Sequence, residues 1–248
     1  AGISRLEGFQ SKIEQVSQSK TIYESSNLFN NESIIINNAD LYPPGSKLPI
    51  IADLNLSINQ SDTLLVVGPS GCGKTSLLRM ISGLWQPVNG TIERPNKGDL
   101  LFIPQKPYLI LGSLREQLCY PTEENRFSDE QLRSVLTEVK LQSLLDRYPD
   151  LDIKQDWPRI LSLGEQQRLA FGRLLLNSPR YAVLDEATSA LDVKTEKLLY
   201  QLLRQRDLAV ISVGHRPTLI EFHSTVLELM GKGKWRLLPS SNYKFENS

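Results

Sequence analysis

The sequence predicts an α/β fold with three parts: a core of buried strands, an antiparallel β flank and an inserted helical region. Three observations predict it. A strand-like run, Thr63 to Val67, leads into the glycine-rich stretch Gly68-Pro69-Ser70-Gly71-Cys72-Gly73-Lys74-Thr75, and the helix-like Ser76-Leu-Leu-Arg-Met-Ile leads out. Two further apolar runs, Tyr181-Ala-Val-Leu184 and Leu208-Ala-Val-Ile-Ser-Val213, read as fully buried strands. From 106 to about 175 the apolar spacing turns helical.

The glycine-rich stretch carries the pattern G-x-x-x-x-G-K-[ST] in the strand-to-helix setting that a phosphate-binding loop requires. Its glycines let successive backbone N–H groups turn inward around an anion, and the next helix adds unpaired donors and partial positive charge. Lys74 is placed to reach the β and γ phosphates. Thr75 supplies a hydroxyl ligand for Mg²⁺, an ion that keeps several waters and takes few protein ligands. The bland alternative is a glycine-rich turn that binds nothing.

Composition bounds the partners. With 248 residues and 40% hydrophobic content, the chain can bury a large core. Its 28 basic and 28 acidic residues cancel, so no overall field draws it to nucleic acid or anionic lipid. Cys72 and Cys119 make no metal spacing and no disulfide framework, which fits a reducing compartment. Apolar runs such as Leu64 to Val67 and Leu174 to Leu176 fall far short of the roughly 18 residues needed to cross a bilayer. Residues 1–30 mix charges with serines and glutamines, unlike a signal peptide, and the chain opens on Ala, as a piece of something longer would.

In chain order, Ile3, Leu6, Phe9 and Ile13 give a weak helical period that dissolves into Tyr23-Glu-Ser-Ser-Asn, a helical linker with a joint after it. Ile34 to Ile36, a turn with Pro43, Pro44 and Gly45, and the alternation Leu54, Leu56, Ile58 predict antiparallel strands. Tyr42, in that turn, could stack on a purine or simply pack. Gln105 comes after the apolar run Leu100 to Ile103; its amide could ligate Mg²⁺ or hold a water, or be an ordinary loop side chain. Ser128 and Gln131 make a capping box before Leu132, Val135, Leu136 and Val139.

Leu161-Ser-Leu-Gly-Glu165 opens a helix whose apolar positions are Leu169, Gly172 and Leu176. Ser162 and Glu165 stand at capping-box spacing, and the same helix start, with a hydroxyl and the bare backbone of Gly164, is also an anion site. Asp185 and Glu186 end a buried strand, where adjacent acids are costly unless used. Side chains alternate along a strand, so one can orient Mg²⁺ while the other faces the γ phosphate and an attacking water. Asp192 is placed to cap the helix bearing Leu198, Leu199, Leu202 and Leu203. His215 comes after the run 208–213, where it could hydrogen-bond a phosphate or a water or play a structural part. A hairpin, Thr225 to Leu229 and Lys234 to Leu238, and a polar tail close the chain.

This order of motifs, from about Ile34 to Leu238, resembles the ATPase domain of an ATP-binding cassette (ABC) transporter. The resemblance implies an α/β P-loop NTPase (RecA-like) core with an antiparallel β subdomain over residues 31–240 and an α-helical subdomain inserted at 106–175. It implies a linker from a membrane domain over 1–30 and a polar tail over 241–248. Tyr42 matches the adenine-stacking aromatic, and Gly68 to Ser76 match the nucleotide-binding loop and helix start. Thr75, Gln105 and Asp185 match the Mg²⁺ ligands, and Glu186 the general base, with Lys74, Gln105 and His215 around the γ phosphate. Ser162, Gly164 and Glu165 match the signature, which closes on the nucleotide of a second copy, and Ser189 to Asp192 match the D-loop, with Asp192 among the implied nucleotide-binding residues.

Gly112-Ser-Leu-Arg-Glu-Gln-Leu-Cys-Tyr-Pro121 and Leu161-Ser-Leu-Gly-Glu-Gln-Gln-Arg168 look most like subfamily D, the peroxisomal-type half-transporters and their bacterial or plastid relatives. Leu163 and Glu165 depart from the commoner L-S-G-G-Q in the way subfamily D does, whereas Ser189-Ala-Leu-Asp192 looks more bacterial. The implied function is ATP binding and hydrolysis by a homodimer closed around two Mg-ATP, driving transport at the cytoplasmic or stromal face of a membrane. Acyl or other lipid-like cargo, peptides and cobalamin-like cofactors all remain open, and no nucleic-acid partner is expected. Two alternatives stand beside it: a soluble ABC ATPase acting on nucleic acid or the ribosome, and a regulatory ATP-binding module without turnover.

Overall fold

A computed structural model describes residues 32–43 and 45–245. The expected linker over 1–30 lies outside the described residues, as do Pro44 and the last three residues of the expected tail.

The central sheet has six strands in the order β11 (Lys234–Pro239), β10 (Thr225–Gly231), β3 (Thr63–Val67), β9 (Ala209–Val213), β8 (Tyr181–Asp185) and β5 (Leu100–Ile103). The pairs β10–β3, β3–β9, β9–β8 and β8–β5 are parallel, and only β11 runs antiparallel, as the second arm of the expected hairpin. Every residue of β8 and β9 is buried, which is why both read as unbroken apolar runs.

Alternation along these strands divides the interior in two. Leu65, Val67, Ala182, Leu184 and Val210 face a core shared with the helical region, whereas Leu64, Val66, Tyr181, Val183 and Ile211 face helix α1 (Lys74–Ile81) and the β flank. That flank is the antiparallel set β2 (Ile51–Ile58), β1 (Ile34–Leu41) and β4 (Asn89–Glu93), as the alternation of Leu54, Leu56 and Ile58 predicts.

Between β5 and β8 the chain forms a two-stranded ribbon, β6 (Gly112–Ser113) with β7 (Lys154–Gln155), and five helices: α2 (Leu114–Cys119), α3 (Asp129–Glu138), α4 (Gln142–Arg147), α5 (Trp157–Ile160) and α6 (Leu163–Asn177). Ser128 and Gln131 form the capping box at the start of α3. The one-faced reading of α6 is too narrow. Leu169 and Gly172 are buried and Leu176 half-buried, but Gln166, Gln167 and the run 169–175 are buried as well, because α2, α3 and the sheet surround the helix. Gly172 marks the closest approach: a Cβ there would sit 3.3 Å from Leu118 Cδ2.

Helix α7 (Val193–Arg204) lays Leu199, Tyr200 and Leu203 on the sheet, each such burial contributing about 2 kcal/mol. Beneath it lies a polar chain that composition did not reveal. Tyr200 OH donates to Ser212 Oγ at 3.1 Å, Ser212 Oγ to His223 Nε2 at 2.9 Å, and His223 Nδ1 to the Leu219 carbonyl at 2.7 Å. These bonds satisfy a neutral imidazole, and burial pushes its pKa down to about 4.

Two glycines of the loop between β3 and α1 are fixed differently by their surroundings. Gly68 has φ +143°, and a Cβ there would lie 2.2 Å from the Leu229 carbonyl oxygen. Gly71 has φ +77° with nothing within 4 Å of its Cβ position. Gly68→Ala is therefore expected to cost about 3 kcal/mol, through strain and a backbone shift, and Gly71→Ala about 1 kcal/mol, through φ alone. Urea unfolding of the two variants checks this, and equal losses would contradict it.

His223 makes a second prediction. The unfolded chain takes up a proton near pH 6.5 and the folded chain only near pH 4, so stability falls as pH drops through that window, by up to about 3 kcal/mol. His223→Gln should flatten the pH dependence of the urea midpoint between pH 7 and 4.5. An unchanged slope would contradict the assignment.

Candidate functional site

Register sets the site. Val66 of β3 and Asp185 of β8 both pair with Val213 of β9, so three parallel strands end at one level. The loop at Gly68, the carboxylate of Glu186 and the segment Gly214-His215 leave the sheet at that shared carboxyl edge, where open α/β sheets place ligands.

The loop from Gly68 closes on the end of the β flank: a Cβ on Gly73, at φ +105°, would fall 2.7 Å from Ile50 Cγ1. Gly73 caps α1 in a left-handed conformation and no side chain caps that helix, which leaves its first N–H groups facing the loop. Lys74 is buried, and its Nζ donates to the carbonyls of Gly68 and Pro69 at 2.8 and 2.9 Å, which puts the ammonium inside the loop. Ser70 and Gly71 are exposed at its rim, Cys72 is buried beneath it, and Ser76 is half-buried in the first turn. Burial pushes the Cys72 thiol up, against the pull of Lys74.

Thr75 Oγ1 donates to Asp185 Oδ1 at 3.2 Å, joining the helix start to the end of β8. Burial pushes the Asp185 carboxyl up, and adjacent Glu186 adds to this against the Thr75 hydrogen bond and the Arg79 and Lys74 charges. A buried carboxylate beside a hydroxyl is a hard-oxygen pair suited to Mg²⁺. Among the described residues no group of three or more His, Cys, Asp or Glu side chains could hold a metal alone, so an ion here would rely on water and phosphate oxygens for its other ligands.

Glu186 is held hard. Its φ is +50°, a conformation costly for a residue with a side chain. Its N–H donates to the Val213 carbonyl at 3.1 Å. Gln105 Nε2 donates to Oε2 at 3.0 Å and His215 Nε2 to Oε1 at 3.1 Å, so side chains 81 and 29 residues away meet on one carboxylate. Both oxygens keep a second acceptor site for a water. Gln105 uses its amide nitrogen on Glu186, and its amide oxygen remains the atom suited to a metal.

Tyr42 lies half-buried just past β1, at the end of the flank where Ile50 N–H donates to the Leu41 carbonyl and Ile50 packs under Gly73. Ser162 and Glu165 form a full capping box on α6: Glu165 N–H donates to Ser162 Oγ at 3.3 Å, and Ser162 N–H donates to Glu165 Oε2 at 2.9 Å. Burial works against the Glu165 charge, but the Ser162 hydrogen bonds and the Arg147 and Arg168 cations hold its carboxyl below the usual range. The bonds of this helix start run within itself and to Arg147, not to the cleft at Lys74 and Glu186. Gly164 packs on the segment after Glu186, its Cβ position 3.3 Å from the Ala190 carbonyl oxygen. Asp192 caps α7, accepting from Thr195 N–H at 2.8 Å, and Thr195 holds its carboxyl below the usual range.

Sequence reasoning missed the residues that hold these segments together. Arg216 donates to the Ser189 and Leu191 carbonyls at 3.1 and 2.7 Å and to buried Glu196 at 3.3 Å. Gln167, fully buried on α6, donates to the Gln105 carbonyl at 2.8 Å. The available signal was slight: Gln167 stands in the polar run Glu165-Gln166-Gln167-Arg168 three and four residues before Ala170 and Phe171, and Arg216 directly follows His215.

Comparison with known proteins agrees with this geometry. A family model described as ABC transporter matches residues 51–189. An uncharacterised ABC transporter ATP-binding protein of Synechocystis is 50% identical over 210 residues, 85% of this chain and 32% of the relative. The lysosomal cobalamin transporter ABCD4 of Mus musculus, a subfamily D member, is 43% identical over 215 residues, 83% of this chain and 36% of the relative. The chain thus spans about a third of the length of these relatives. A bacterial Atm1-family ABC exporter solved with ATP bound superposes with a TM-score of 0.75 at 23% identity, over 88% of this chain and 40% of that one, and shares the fold. The chain belongs to the ABC transporter family, as an ATP-binding domain similar to those of subfamily D.

Proposed function

We propose that this domain hydrolyses ATP and, as a pair of copies closed around two nucleotides, drives a transmembrane partner at the cytoplasmic or stromal face of a membrane. The observation that carries the reading is the meeting of Gln105 and His215 on the two oxygens of Glu186, beside the Thr75–Asp185 pair. Among the described residues no helix is long and apolar enough to cross a membrane, and this reading assigns the movement of cargo to the transmembrane partner.

In this reading Tyr42 stacks on adenine, and the N–H groups from Ser70 to Ser76 with Lys74 hold the phosphates. Mg²⁺, held by Thr75, Asp185 and the Gln105 amide oxygen, would neutralise charge on the β and γ phosphates. Glu186 polarises a water for in-line attack on the γ phosphorus; the bond to the β-γ bridging oxygen breaks, leaving ADP and phosphate. His215 and Gln105 fix the carboxylate and face the γ phosphate. Ser162 and Gly164 face out of the cleft of their own chain, and in a two-fold pair each supplies the second edge for the nucleotide of the other copy. Release of the γ phosphate removes the anion that both copies hold, and the pair opens.

Glu186→Gln is expected to bind ATP, lose about 100-fold or more in turnover and accumulate as a dimer by size-exclusion chromatography; full turnover would refute the base assignment. Mixing Ser162→Ala with Lys74→Ala protein tests the shared site. The mixed pair contains one undamaged site and should recover activity that neither variant shows alone, whereas a mixture as inactive as its components contradicts sharing.

A further inference from the structure

Gln167 makes three side-chain hydrogen bonds, all of them to two loops of the site. Its Nε2 donates to the Gln105 carbonyl at 2.8 Å and to Ser189 Oγ at 3.1 Å, and its Oε1 accepts from Ala190 N–H at 3.0 Å. Its side chain is fully buried, so no water can replace these partners on the Gln167 amide. The Gln105 side chain meanwhile donates to Glu186, and Ser189 N–H donates to the Glu186 carbonyl at 3.0 Å. A closed ring results: Glu186 to Gln105, Gln105 to Gln167, Gln167 to Ser189, and Ser189 back to Glu186.

The ring is tied to its surroundings on two sides. Gln167 sits in the second turn of α6, the helix that Ser162 starts, and Gly164 in its first turn rests on the Ala190 carbonyl. On the other side Arg216, next to His215, grips the Ser189 and Leu191 carbonyls. The segment 189–191 is therefore clamped between the helix presented to a second copy and the residues around Glu186.

We propose that Gln167 is a positioning residue that locks Gln105 and the 189–191 segment to α6, so that the state of Glu186 in one copy sets the edge that copy offers to its partner. This rests on the shared-site reading above and adds to it the side chain that links the two ends of one copy. Gln167 does not line the nucleotide cleft, so its loss should spare ATP binding and damage pairing and hydrolysis.

The experiment uses Gln167→Met, which keeps length and apolar fill and removes the amide. The KM for ATP and the equilibrium affinity for a fluorescent ATP analogue should stay within about threefold, while kcat falls about tenfold, the size of one misplaced catalytic contact. In the Glu186→Gln background, ATP-dependent pairing should need about tenfold more protein. Ser189→Ala, at an exposed position that cannot empty the core, should lower kcat in the same pattern and add nothing once Gln167→Met is present. An unchanged kcat, a loss of kcat that only tracks the folded fraction, or additive effects of the two substitutions would overturn the proposal. Amide exchange decides the case independently of turnover. Gln167→Met should expose the Ala190 N–H, and if the parent proved inactive the shared-site reading would fall while this measurement still judged Gln167; an Ala190 amide as protected as in the parent counts against it.

Discussion

Everything at the site depends on three parallel strands ending at one level. The pairing of Val66 with Val213 and of Val213 with Asp185 brings the loop at Gly68, the Asp185-Glu186 pair and His215 to the same edge of the sheet, although they come from distant parts of the chain. A slip of one residue in β8 would exchange Asp185 and Glu186 across the pleat, putting the acid proposed for the metal where the proposed base stands. Burial of every residue in β8 and β9 makes that slip expensive, because it would also exchange Tyr181 and Val183 with Ala182 and Leu184 between two differently shaped cores.

On this rigid edge the polar groups are arranged as a few loaded positions rather than a surface of charges. Asp185 is buried with its carboxyl pushed up, Lys74 is buried against loop carbonyls, and Glu186 adopts a left-handed backbone conformation. The raised carboxyl of Asp185 and the left-handed backbone of Glu186 cost folding energy where they stand, and in the proposed reading a metal-bound triphosphate would offset that cost. The neutral net charge fits the same picture, since attraction for ATP comes from the loop and helix start and not from a general field.

Much of this was legible in the sequence because it depends on local chemistry. The loop from Gly68 to Thr75 announces itself through glycines that the backbone cannot replace, and β8 and β9 through unbroken apolar runs. The hairpin at β10 and β11 and the capping box at Ser128 obey rules that span only a few residues. The features that stayed hidden depend on approach in three dimensions. The burial of most of α6 arises from helices on several sides, so nothing in the spacing of Leu169, Gly172 and Leu176 marks its polar residues Gln166, Gln167 and Arg173 as buried. The chain from Tyr200 through Ser212 to His223 joins a helix, a strand and a loop that no short-range pattern connects. At Ser162 one sequence pattern carries two readings: the capping box is formed in the single copy, and the phosphate contact is proposed for a pair.

In the proposed reading these features converge on one triphosphate. The most direct measurement is a crystal structure of the protein with Mg²⁺ and a non-hydrolysable ATP analogue. The expected result is a γ phosphate between Lys74 of one copy and Ser162 of the second, with Glu186 facing its far side. A nucleotide seated elsewhere, or enclosed by one copy with Ser162 and Gly164 turned away from any phosphate, would contradict it.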